Sequence, residues 1–82
     1  MKMIVNDLVQ TIGYTRNRIN HFEFCIYNPY DDEWIIIRNP TLDDYVFLCN
    51  RVVHEWMIED SETLSVIIYM RPKDKEIFKD YL

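Results

Sequence analysis

Two pairs of histidine and cysteine are the residues of this chain whose types could bind a metal. Three residues separate His21 from Cys25, and four separate Cys49 from His54. Two histidines and two cysteines together are a common ligand set for zinc. Positions four apart on one strand, however, lie about 13 Å from each other, whereas zinc ligands approach the metal to about 2.0–2.3 Å. We therefore expect no metal site and no cofactor.

Catalysis by the other chemistry-bearing residues is not expected either. A cysteine nucleophile needs a neighbouring base and an oxyanion hole, but Cys25 and His54 fall on different predicted strand faces. The adjacent acids Asp31-Asp32 and Asp43-Asp44 suit a turn and the first turn of a helix, whereas catalytic carboxylates usually converge from separate elements. We predict no catalytic residue and a non-enzymatic protein. The alternative is a small enzyme that uses a His/Cys pair or paired carboxylates.

The composition indicates one globular domain that spans residues 1–82. Hydrophobic residues make up 49% of the chain and aromatic residues 15%, which is too many for a disordered segment. Two cysteines are too few for a secreted disulfide scaffold. No apolar run approaches the roughly 20 residues that span a bilayer, and an acid interrupts the N-terminus before a signal sequence could form. These features predict a cytoplasmic protein that does not bind membranes.

The hydrophobic spacing predicts an α+β fold with the element order α-β-β-α-β-β-α. Two hairpins would form one four-stranded, mainly antiparallel sheet with three short helices. The predicted elements are a helix over Val5–Ile12, strands His21–Tyr27 and Glu33–Arg38, a helix capped by Thr41, strands Arg51–Glu59 and Thr63–Met70, and a helix after Pro72.

Several finer features follow from the same patterns. The only glycine, Gly13, is predicted to end the first helix in a left-handed conformation. His54 should share the inward face of its strand with Val52, Trp56 and Ile58. The inner face of the second helix is predicted to consist of Leu42, Tyr45, Val46 and Cys49, and the apolar stripe of the last helix of Ile77, Phe78, Tyr81 and Leu82.

Both faces of the predicted sheet are apolar. The runs Trp34–Ile37 and Leu64–Met70 do not alternate cleanly between apolar and polar residues, as a strand with one solvated face would. An apolar face of this size is unusual on the surface of a monomer. The C-terminal helix, a second copy of the chain or a protein partner could cover it. The residues predicted for a partner or dimer contact on this face are Tyr27, Met57, Ile67 and Tyr69.

The charge is unevenly distributed. The chain has a net charge of −5, and its residues 31–65 contain nine acidic and only two basic residues. Such a segment argues against direct contact with nucleic-acid phosphates, even though exposed tyrosines could stack on bases. It suits solvation, a basic or nucleic-acid-binding protein partner, or imitation of a nucleic acid. The residues predicted for an acidic contact are Tyr30, Asp31, Asp32, Glu33, Glu59, Asp60 and Glu62.

The layout is similar to that of small uncharacterised proteins from phages and mobile elements of Gram-positive bacteria. The likeness lies in a short helix (Val5–Val9), a strand (Phe24–Asn28), an acidic turn (Asp31-Asp32) and a closing strand (Leu64–Tyr69). It spans about residues 5–70. The chain departs from this group in lacking turn glycines and in adding a helix over residues 72–82.

The resemblance implies a function as well as a fold. Some acidic phage proteins of this size inhibit host enzymes, including CRISPR nucleases. The resemblance therefore implies a non-enzymatic protein-interaction module that acts through an acidic or an apolar surface as an inhibitor of a host protein.

Overall fold

The computed structural model describes residues 2–15, 19 and 21–82 and confirms the predicted α+β class. The observed elements follow the predicted order, with a final single turn of 3₁₀ helix added. They are α1 (Val5–Thr15), β1 (His21–Asn28), β2 (Glu33–Ile37), α2 (Leu42–Leu48), β3 (Glu55–Glu59), β4 (Thr63–Tyr69), α3 (Asp74–Ile77) and the 3₁₀ turn Lys79–Tyr81.

The four strands form one mixed sheet in the order β2-β1-β4-β3. Both predicted hairpins are present, since β1 pairs antiparallel with β2 and β3 pairs antiparallel with β4. The hairpins join through the parallel pair β1–β4, in which Phe24 lies opposite Val66 and Tyr27 opposite Tyr69. The two central strands therefore come from different hairpins, and β2 and β3 are the edges.

The inner face of the sheet carries the core. Alternate residues of β1, β2 and β4 are almost fully buried there, against apolar residues of α1, α2 and the C-terminal segment. Each such side chain contributes about 1.5–3 kcal/mol through its removal from water. The buried set is Val5, Leu8, Ile12, Phe24, Ile26, Ile35, Ile37, Leu48, Leu64, Val66, Ile68 and Phe78.

Helix α1 is anchored at its start by backbone groups from the segment after α2. The amide of Val5 donates to the carbonyl of Arg51, and the amide of Asn6 donates to the carbonyl of Cys49, both at 2.9 Å. These bonds satisfy two of the N–H groups that a helix start leaves unpaired. The prediction for Gly13 is wrong, because this residue lies within α1, which continues to Thr15.

Helix α2 begins at Thr41 as predicted but buries a different stripe. The Thr41 hydroxyl accepts from the amide of Asp44, while the Asp44 carboxylate accepts from the amide of Thr41, so the two residues form a capping box. The predicted inner residues Leu42 and Val46 are exposed, and Leu48 is the buried residue of this helix. Tyr45 packs against the core and Cys49 is partly buried, so the predicted inner face is only partly correct.

Strand β3 is shorter than predicted. Its regular part starts at Glu55, and Val52 forms only an isolated antiparallel bridge with Ile4. Trp56 and Ile58 lie opposite Val66 and Leu64 on the inner face, as predicted. His54 precedes the regular strand and does not share that face, because its ring stacks on Tyr69 of the opposite face.

The C-terminal segment packs onto the inner side. Phe78 is fully buried in the core and contacts the Phe47 ring of α2. Asp74 is buried too, and its carboxylate accepts hydrogen bonds from Nη1 and Nη2 of Arg51 and from the amide of Arg71. The predicted stripe is only partly correct, since Ile77, Tyr81 and Leu82 remain exposed.

We predict that Asp74→Ala lowers the free energy of unfolding by about 3–5 kcal/mol, because it leaves the buried charge of Arg51 without its partner. Arg51 is only 4% exposed. Urea denaturation followed by circular dichroism measures the change. The control is Asp80→Ala, which removes an exposed carboxylate and should change stability by less than about 0.5 kcal/mol. Equal losses in the two variants would contradict a stabilising role for the ion pair.

The turn between β3 and β4 holds two consecutive residues in the left-handed region, Asp60 at φ 53° and Ser61 at φ 64°. The loop has three residues, 60–62, because Glu59 pairs with Thr63, and the amide of Glu62 donates to the carbonyl of Glu59 across Asp60 and Ser61. Two central turn residues that both have positive φ favour Asp-Gly. We predict that Ser61→Gly raises the free energy of unfolding by about 0.5–1 kcal/mol, because glycine avoids the left-handed penalty. Ser61→Ala is the control, since alanine keeps the penalty. An unchanged denaturation midpoint for Ser61→Gly would contradict the prediction.

Candidate interaction surface

The outer face of the sheet carries a row of four aromatic rings near one end. Tyr27 lies opposite Trp34 on one side and opposite Tyr69 on the other. The Tyr27 and Trp34 rings are 4.4 Å apart, and the Tyr69 and His54 rings are 4.3 Å apart. The Tyr69 hydroxyl also lies 3.1 Å from His54 Nε2. The row thus reaches from β2 across both central strands to the start of β3.

Aliphatic side chains continue this surface below the aromatic row. Ile36 lies opposite Cys25, and Cys25 in turn lies opposite Ile67. Met57 lies opposite Ser65, which is two residues before Ile67 on β4. Six side chains make up this outer apolar face, namely Tyr27, Trp34, Ile36, Met57, Ile67 and Tyr69.

The outer apolar face is largely open. Trp34 is 43% exposed, Ile36 39%, Met57 40% and Tyr69 48%, and Tyr27 and Ile67 are partly buried. Of the three coverings predicted from the sequence, the C-terminal helix is excluded, because Phe78 and Asp74 hold that segment on the inner side. Within the described residues, no element of the chain lies over this face.

The structure brings together the predicted apolar contact residues Tyr27, Met57, Ile67 and Tyr69 on one surface. The apolar run Trp34–Ile37 also contributes two side chains to this surface. The hairpin register identifies Trp34 and Ile36. His54 was missed, because strand alternation assigned it to the inner face.

The predicted acidic contact residues fall into two separate groups. Tyr30, Asp31, Asp32 and Glu33 lie at the turn between β1 and β2, whereas Glu59, Asp60 and Glu62 lie at the turn between β3 and β4. Because β1 runs parallel to β4, these turns are at opposite ends of the sheet, about 20 Å apart at the strand rise per residue. They therefore do not form one continuous acidic surface.

The first acidic group is mostly engaged within the chain. Lys75 Nζ lies 2.6 Å from Glu33 Oε2 and 3.9 Å from Asp31 Oδ2, and the hydrogen bond to Glu33 raises the pKa of Lys75. The Tyr27 hydroxyl donates to Asp32 Oδ1 at 3.1 Å, which raises the pKa of Tyr27. Tyr30 at the tip is 94% exposed.

The cysteines, His54 and the paired acids do not come together in one site. Cys25 Sγ contacts Glu23 Oε1 and Ser65 Oγ, Cys49 Sγ contacts the carbonyl of Val46, and His54 contacts Tyr69. The paired acids are engaged structurally, as Asp44 caps α2 and accepts from the Tyr81 hydroxyl. In the part of the chain that the structure describes, no three potential metal ligands cluster.

The chain was compared with protein-family models, with curated proteins and with solved structures, and none of them matches it. Among the described residues, no helix has the length and apolar character needed to cross a membrane.

We predict that the Cys25 thiol reacts slowly with iodoacetamide. Burial raises its pKa above the ordinary value, and the Glu23 carboxylate adds to this, while the hydrogen bond with Ser65 acts in the opposite direction. In a Cys49→Ser variant, the pH profile of alkylation followed by mass spectrometry should have a midpoint above about 8.5, the value for a free thiol. The urea-unfolded variant is the control. A folded midpoint at or below the unfolded one would contradict the burial effect.

Proposed function

We propose that this protein is a non-enzymatic protein-interaction module and that the outer apolar face is its docking surface. One observation carries the proposal: six large apolar or aromatic side chains share one sheet face that the described chain leaves open. Aromatic residues and methionine are the types enriched at protein interfaces.

The size of this surface supports the same function. Large side chains each contribute about 150–250 Å² when fully buried, so six that are exposed to the observed extent present on the order of 400 Å². Patches of that size on a monomer are often functional. A standard interface buries about 800 Å² per partner, so the patch could supply the apolar centre and leave a polar rim.

The charges around the patch favour a partner with basic groups at its rim. Glu55 and Glu59 lie on the same face as the patch and flank Met57 on the edge strand β3, and Glu23 lies opposite Ser65 on this face. Carboxylates at a rim steer a basic partner and set its orientation more than they add affinity. A basic or nucleic-acid-binding host protein in the cytoplasm, inhibited by a phage or mobile-element protein, is the specific form of partner that we propose.

Ile36→Lys tests the docking surface directly. It places a charge in the middle of the outer apolar face, and because Ile36 is already 39% exposed, the fold should be retained. We expect proteins captured from a host lysate by the wild-type chain to be reduced at least tenfold with this variant, as quantified by mass spectrometry. If the partner is a second copy, light scattering should show a wild-type dimer and an Ile36→Lys monomer.

Leu42→Lys is the matched control, because Leu42 is 78% exposed on α2, on the other side of the sheet. It introduces the same charge and should leave binding unchanged. Equal binding by all three proteins, or equal loss in both variants, would refute the outer apolar face as the docking surface. Binding that is lost instead with Asp31→Lys and weakened by salt would assign docking to the acidic turn.

A further inference from the structure

A cleft of about 540 Å³ lies between the N-terminal residues and the end of β4. Its walls come from three parts of the chain: Lys2 and Met3, the stretch from Arg51 to His54, and the stretch from Ile68 to Arg71. The backbone closes one side, since the amide of Val53 donates to the carbonyl of Met3 at 2.8 Å. The volume lies in the range of small-molecule sites, about 300–1,000 Å³.

The cleft is positively charged in an acidic protein. Lys2, Arg51 and Arg71 line it, and none of its described lining residues is acidic. Arg51 is neutralised by Asp74. Lys2 and Arg71 are exposed, and neither is in an ion pair with another residue of the described chain. Lys2 and Arg71, which have no ion-pair partner among the described residues, therefore line one cavity of a chain with a net charge of −5.

The rest of the cleft wall is aromatic and apolar. The stacked rings of His54 and Tyr69 form one part of it, and the half-exposed side chains of Met3 and Val52 form another. Such a wall excludes water from a flat apolar group. The cleft thus combines a cationic part with a surface on which a ring could lie.

We propose that this cleft binds a small phosphate monoester with a planar ring. A phosphate monoester carries about −1.5 to −2 charges at pH 7, which matches the two free cations. Arginine and lysine are both residues that bind phosphate in proteins. In this site Lys2 and Arg71 bind the phosphate, and the ring lies against His54, Tyr69 and Val52.

The site is separate from the docking function. It shares only Tyr69 with the outer apolar face, and its charged groups lie beyond the end of the sheet. A substitution at any of the other five residues of the outer apolar face should therefore leave the cleft intact, and a substitution at Lys2 or Arg71 should leave protein docking intact.

Titration of the ¹⁵N-labelled protein with phenyl phosphate at constant ionic strength tests the proposal by NMR. We expect saturable shifts centred on the amides of residues 52–54 and 69–71, with a dissociation constant on the order of 1 mM or lower. Inorganic phosphate should bind more weakly because it lacks the ring. Arg71→Ala and Lys2→Ala should each weaken phenyl phosphate binding about tenfold, as for loss of a charged hydrogen bond.

The test variant should fold normally, and two control variants keep the test specific. Arg71→Ala preserves the backbone bond to Asp74, which uses the Arg71 amide, so the variant should fold. Arg38→Ala removes an exposed cation outside the cleft and should bind phenyl phosphate like the wild type. Ile36→Lys, which tests docking, should also bind it normally.

Three results would overturn the proposal. They are an absence of saturable shifts up to about 20 mM phenyl phosphate, far above the expected range, shifts centred away from the cleft, and equal weakening by Arg38→Ala and Arg71→Ala. Each of these can occur while docking through the outer apolar face stands, so the two proposals fail independently.

Discussion

Arg51 holds together the segments that cover the inner face of the sheet. Its carbonyl accepts from the first amide of α1, and its guanidinium donates to the buried carboxylate of Asp74 at the start of α3. Burial lowers the pKa of Arg51, which the charge of Asp74 opposes, so the pair depends on both members remaining together. Moving Asp74 away from Arg51 would leave a buried charge without its partner. The segment that follows Asp74 is therefore held on the inner side of the sheet, where Phe78 enters the core.

This constraint leaves the chain with only one covering layer. The three helices contain 11, 7 and 4 residues, and the buried apolar side chains described for α1 and α2 all belong to the inner core. The described residues form no further helix or strand that could cover the second face. The open aromatic row is therefore a consequence of where the C-terminal segment is tied.

The strands were predictable because their residues alternate within regular pairs. Phe22, Phe24 and Ile26 face the core while Cys25 and Tyr27 face outward, and the register follows once the hairpin turn is located. Residues 51–54 were not predictable in this way. They form a bridge and a bend instead of a strand, so alternation placed His54 on the wrong face.

The remaining errors come from contacts distant in sequence. In α2, the apolar residues permit two overlapping stripes, and only packing against the sheet selects the one that contains Leu48. The position of the C-terminal helix depends on an ion pair between residues 23 positions apart, which no local pattern indicates. The apolar half of the candidate surface could thus be predicted from alternation, whereas its openness and the cationic cleft beside it required the tertiary structure.

Strand propensity alone does not explain the outer apolar face. β-Branched residues such as Ile36 and Ile67 favour strands, but threonine would serve the backbone equally well on a solvated face. Trp34 and Met57 lie on the two edge strands, where exposed apolar side chains invite aggregation and charged residues are the usual protection. Glu55 and Glu59 give such protection to Met57 on β3, whereas the outward positions Trp34 and Ile36 of β2 have no carboxylate between them. A surface whose carboxylates lie toward β3 and whose apolar side chains lie toward β2 gives a bound partner one preferred orientation, which apolar side chains scattered at random would not.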